Sequence, residues 1–153
     1  MTEIQNKDRY SQDCRKSCPA LVMFGGRCDV WWLRVLKRKY RHCFAVLCHD
    51  DMAILYNPLS HYTEFQVIRN LAYGDIARHY RKEGYEVVET EITVPPGVMA
   101  PVGLFSCVKA VKRALGIQKR SIITPWQLRK YIRRKEIGKN TYRNTLNNRK
   151  ILT

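Results

Sequence analysis

Cys107 is the first residue to weigh as a reactive group. It lies in Phe105-Ser106-Cys107-Val108-Lys109, where an amphipathic helix is expected to begin. A thiol at a helix N-terminus faces the positive end of the macrodipole and N–H groups without intrahelical acceptors. Both favour the thiolate, the nucleophilic form of cysteine. The same N–H groups, that of Cys107 included, suit an oxyanion. Position alone better fits a small buried hydrophobe, the usual role of a free cysteine. A thiol nucleophile also needs a base, and His42 is the candidate. It belongs to an alternating stretch with His42, Phe44 and Val46 on one face and Cys43, Ala45 and Leu47 on the other. The base in turn needs a polar group to fix its tautomer. If the next hairpin turns at His49-Asp50, Asn57 falls opposite His42, with Cβ atoms about 4.5–5.5 Å apart. His49, Asp50 and Asp51 are fallback orienting groups nearer the turn.

These side chains need elements to hold them. Ala20 to Phe24 is an apolar run stopped by Gly25-Gly26. Asp29 could cap a short helix through Trp31, Trp32, Val35 and Leu36, with the tryptophans as core or interface residues. Tyr40 to Cys48 has strand periodicity, and with Met52 to Tyr56 it reads as a β-hairpin that ends at Asn57-Pro58. Thr63 to Ile68 is a third strand. A helix over Asp75 to Lys82 is closed by Gly84, and Tyr85 to Val94 is β-rich up to Pro95-Pro96-Gly97. The helix over Cys107 to Leu115 should bury Val108, Val111 and Leu115, turn Lys109, Lys112 and Arg113 to water, and stop at Gly116. Thr124-Pro125 starts another helix through Trp126, Leu128, Tyr131 and Ile132. The expected class is α+β, a small antiparallel sheet packed against helices, with a basic C-terminal helix and tail. The expected boundaries are a polar segment over 1–17, one domain over 18–136 and an Asn-rich basic tail over 137–153.

A strand histidine (Arg41-His42-Cys43-Phe44), a polar group on the next strand, and then a cysteine opening a helix resembles the circularly permuted papain-like fold. That group includes relatives of NlpC-type cell-wall endopeptidases and lecithin:retinol acyltransferase-like enzymes. Val108 to Tyr131, with Lys-Arg-Ala-Leu-Gly-Ile and then Thr-Pro-Trp-Gln-Leu-Arg-Lys-Tyr, is also similar to small uncharacterised bacteriophage and prophage proteins. The resemblance spans residues 29–132. It implies Cys107 as nucleophile, His42 as general base and Asn57 as orienting residue in a cysteine hydrolase, amidase, peptidase or acyl-transfer enzyme. Asn57 stands where many of the phage relatives carry an acid, which keeps orientation but not charge.

Charge offers a rival. Residues 107–153 hold 14 basic side chains and one acid, whereas residues 1–106 hold 14 basic and 12 acidic ones. So dense a basic segment seeks phosphate, an acidic partner or an anionic surface. Arg129, Lys130, Arg133, Arg134, Lys135, Lys139 and Arg143 are the candidate polyanion contacts. The alternative is therefore a virion structural or accessory protein, catalysis lost, whose basic region docks on acidic virion proteins or on a nucleic-acid backbone. No zinc-finger, helix-turn-helix or RNA-recognition signature argues for sequence-specific reading. Cys14 and Cys18, with Cys28 and Cys43 or His42, match structural zinc spacing weakly, so no metal and no cofactor is expected. No run of 18 apolar residues indicates a membrane span, and no secretion signal is visible, which points to a host cytoplasm or a virion with its cysteines as thiols.

Overall fold

Leu21, Val22, Met23 and Phe24 leave no polar position between them, and such a strand needs cover on both faces. In the computed structural model it has both. The structure describes residues 18–26, 31, 35–49, 52–93 and 105–150, with side chains as far as Ile137. The elements are β1 (Pro19–Gly25), β2 (His42–His49), β3 (Met52–Pro58), β4 (Thr63–Arg69), α1 (Tyr73–Lys82), β5 (Glu86–Glu91), α2 (Cys107–Ala114) and α3 (Pro125–Lys150). The five strands make one sheet in the order β4-β3-β2-β1-β5, and every pairing is antiparallel. Helices lie on both faces, so the α+β class holds.

Period-two alternation divides the core. Ala20, Val22, Phe24, Cys43, Ala45 and Val88 meet Val108 and Val111 of α2, Leu115 at its C-cap, and Leu128 and Ile132 of α3. Leu21, Met23, Phe44, Val46, Leu55 and Val87 meet Ile76 and Ala77 of α1 on the other face. Gly84 and Gly116 follow α1 and α2 in the left-handed region (φ +87° and +70°), the conformation that ends a helix at lowest steric cost. Thr124 caps α3 as expected: its Oγ1 accepts from the Gln127 N–H at 3.3 Å, and Gln127 Oε1 accepts from the Thr124 N–H at 2.9 Å. That reciprocal pair is a capping box.

Several expectations need correcting. Lys112 is not on the wet side of α2. It is 9% exposed, and its ammonium donates to the carbonyls of Lys119 (2.6 Å) and Ile122 (3.0 Å) in the connection to α3. Those carbonyls lie outside helix and sheet, so a buried donor is needed to satisfy them. Burial, helped by the charge of Lys109, lowers the Lys112 pKa. Lys112→Met is expected to cost about 1–3 kcal/mol by leaving both acceptors unpaired. A lower urea midpoint at unchanged slope would register it. Trp31 and Val35 are exposed, at 78% and 91%, while Trp32 lies outside the described residues. The helix α3 runs through position 137 to Lys150. Residues 1–17 and 151–153 lie outside the described residues.

Candidate active site

The hairpin turns one residue later than expected. His49 pairs with Met52 and Ala45 with Tyr56. Continued past its last pair, this register sets Asn57 against Phe44, and His42 is a diagonal neighbour rather than a direct one. Parity keeps both on one face, and diagonal positions lie within reach of long side chains. The His42 Nε2–H donates to Asn57 Oδ1 at 2.8 Å. At this end the β2–β3 ladder stops at Ala45↔Tyr56, while β1–β2 pairing runs on to Gly25↔His42 and β3–β4 pairing to Pro58↔Thr63. The histidine–asparagine bond therefore spans the place where β2 and β3 part.

β1 and α2 hold the rest. The Arg41 N–H donates to the Gly25 carbonyl at 3.0 Å, which anchors the chain just before His42. Ser106 is the N-cap of α2: its backbone is extended, and its side chain accepts from the Lys109 N–H at 3.2 Å. Cys107 is thus the first helical residue. Its thiol packs against the core shared by Cys43 and Val108, and it is hydrogen-bonded to both Cys43 and His42.

The electrostatics follow from these contacts. The Cys107 pKa is pulled down to about 4. The hydrogen bond from the Cys43 thiol does most, burial opposes it, and the hydrogen bond and charge of His42 add to the lowering. Cys43, fully buried, is pushed well above the ordinary range by desolvation and by its bond to Cys107. The pair therefore favours ionisation at Cys107 over Cys43. Cys48, on the opposite layer, is raised by burial alone. Protein-family models, curated proteins and solved structures were each compared with this chain, and none matches.

Cys107, His42 and Asn57, chosen by sequence, are brought together. Two neighbours were not chosen. The sequence placed Cys43 only on a face of its strand, and its contact with Cys107 depends on how α2 lies across β2. Glu64 accepts from Asn57 Nδ2 at 2.9 Å, and only the β3–β4 register puts it there. The fallback residues Asp50 and Asp51 lie outside the described residues, and His49 pairs with Met52 at the far end of β2. Among the described residues no group of His, Cys, Asp and Glu could hold a metal ion, and Cys14 and Cys28 lie outside them.

The basic candidates are not alike. Arg129 and Arg133 both pair with Glu86 Oε1, at 2.7 and 2.8 Å, which ties α3 to β5. Burial would raise the Glu86 pKa, but hydrogen bonds from Tyr40 and Arg129 and the charges of both arginines hold it below its usual value. Lys135 donates to Thr93 Oγ1 at 2.8 Å, and the Lys130 ammonium sits 5.0 Å from the Trp126 ring centre. Arg134 is exposed. Lys139 and Arg143 belong to α3, with side chains outside the described residues. No described helix is long and apolar enough to cross a membrane.

Proposed function

We propose that this chain is a cysteine hydrolase or acyl-transfer domain of permuted papain-like arrangement, akin to the small phage proteins its sequence resembles. The observation that carries the reading is the contact chain Cys107–His42–Asn57 at the first turn of α2. Asn57 occupies Nε2 of His42, which leaves Nδ1 as the nitrogen that takes the thiol proton. The thiolate attacks the carbonyl carbon of an amide or ester. The N–H groups at the start of α2 stabilise the oxyanion that forms, and imidazolium returns its proton to the leaving amine or alcohol. Water, deprotonated by His42, then cleaves the thioester, or another acceptor takes the acyl group. Peptides of the bacterial cell wall are the substrate suggested by the resemblance.

Alkylation tests the reading without a known substrate. An ordinary thiol, with pKa about 8.5, reacts about tenfold faster for each pH unit gained below that value. Cys107, already thiolate near pH 5, is expected to react with iodoacetamide at a nearly constant rate from pH 5 to 8, while Cys48 shows the steep rise. Peptide mass spectrometry resolves the two sites. A Cys107 profile as steep as that of Cys48 would refute the nucleophile assignment.

A second reading, docking on a polyanion, has its own support. Over 125–150 the sequence carries nine basic residues and one acid, and these residues form one continuous helix. A helix keeps such charges at fixed spacing along a phosphate backbone, which a disordered tail does not. The two readings are compatible in one chain.

A further inference from the structure

We propose that Glu64 is the positioning residue that sets the direction of hydrogen bonding through Asn57 and His42 to Cys107. The inference rests on the thiol chemistry above and deepens it. An ionised carboxylate has acceptors and no donor. Glu64 Oε2 takes the Nδ2–H of Asn57 at 2.9 Å, so the asparagine must turn its nitrogen toward β4 and its oxygen toward β2. Asn57 Oδ1 is an acceptor only, so the partner at 2.8 Å, His42 Nε2, must carry a proton. A neutral imidazole protonated at Nε2 has its lone pair at Nδ1. One acceptor on β4 thus decides, through two hydrogen bonds, which ring nitrogen can receive the thiol proton.

Without that acceptor the amide can rotate by half a turn. Its NH2 would then face Nε2 and favour the tautomer protonated at Nδ1, which cannot act as the base for Cys107. A wrong tautomer is costly in a catalytic triad even where the geometry survives. Glu64 is well held for this work. It is the ladder partner of Asn57 in the β3–β4 pairing, so the backbone fixes their approach. Its charge also favours imidazolium at one remove, which restores what an asparagine in the third position lacks. The groups that face it are Asn57, with His42 beyond, and Tyr80 of α1. Burial first, and then the charge of Glu64, raises the Tyr80 pKa, so that phenol stays neutral throughout the test.

The experiment uses the full chain and reads the pH profile of Cys107 alkylation by iodoacetamide in wild type, Glu64→Gln, Glu64→Ala and Asn57→Ala. Glu64→Ala is expected to move the inflection upward by about one pH unit, a tenfold loss of thiolate below it. Glu64→Gln should move it less, in the same direction, because its carbonyl oxygen can still accept from Asn57 but no longer must. A purely structural role for Glu64 would not give that order, and the near-isosteric glutamine guards against a folding defect in the alanine variant. The proposal is overturned if both Glu64 variants superimpose on a flat wild-type profile that Asn57→Ala displaces. A steep wild-type profile is a different result: it sinks the thiol reading itself, and the role of Glu64 with it.

Discussion

Cys107→Ala is expected to abolish turnover of any ester or amide that the intact protein cleaves. A chromogenic ester such as p-nitrophenyl acetate is a sufficient probe, since the reading requires an acyl-thioester on Cys107 that intact-protein mass spectrometry detects as one added acetyl group. His42→Ala should lower kcat/KM by at least about 1000-fold, because the thiol loses both its base and its imidazolium partner. The two losses should not add. A nucleophile and its base act as a unit, so the double variant is expected to be no worse than Cys107→Ala alone. Asn57→Ala should cost less, about 10- to 100-fold, because it orients the base without replacing it. The pH dependence has a definite sign. The proposed mechanism requires the thiolate, so kcat/KM is expected to fall as pH drops through the Cys107 pKa of about 4, not through the range near 8.5. Retention of full ester turnover by Cys107→Ala would remove the nucleophile from the mechanism.

Each part of the site was legible to the degree that it is local. The alternation through Tyr40 to Cys48 fixed which face His42 shares with Phe44, and one apolar stripe with a glycine stop placed Cys107 at the start of α2. Both signals lie within one element. The third residue depended on the hairpin register, and the register was misplaced: His49 pairs with Met52, where a turn at His49-Asp50 would have paired Cys48 with Asp51. Asn57 survived because the pairing moved by two residues, which preserves parity, and because both side chains are long enough for a diagonal contact. Glu64 and Cys43 were beyond sequence reading. One needs the register of a second hairpin, the other the position of a helix on the sheet. Lys112 shows a related limit: periodicity assigns a lysine to solvent, but two loop carbonyls, one of them buried, can draw it inward. The basic third was legible as charge and not as partnership, since Glu86, the acid that binds Arg129 and Arg133, lies some forty residues away in β5.

That partnership shapes the polyanion test. Association with a DNA duplex through α3 should weaken with salt at a slope of about −0.9 for each phosphate neutralised. Four cations in contact give a slope near −3.6, hence a loss of about 100-fold in affinity between 50 and 200 mM salt. The seven basic candidates should not contribute equally. Arg129 is 20% exposed on the side chain and already holds an acid, so Arg129→Gln should leave the slope nearly unchanged while lowering the unfolding midpoint. Arg133, half exposed with one nitrogen on Glu86, should fall between the extremes. Lys130→Gln and Arg134→Gln lie on the exposed face of α3, and each should reduce the slope by about one. Fluorescence anisotropy titrations at four salt concentrations separate these outcomes. A slope that falls as much for Arg129→Gln as for Arg134→Gln would mean that DNA strips the arginine from Glu86. Binding insensitive to salt would exclude phosphate contact by this helix altogether.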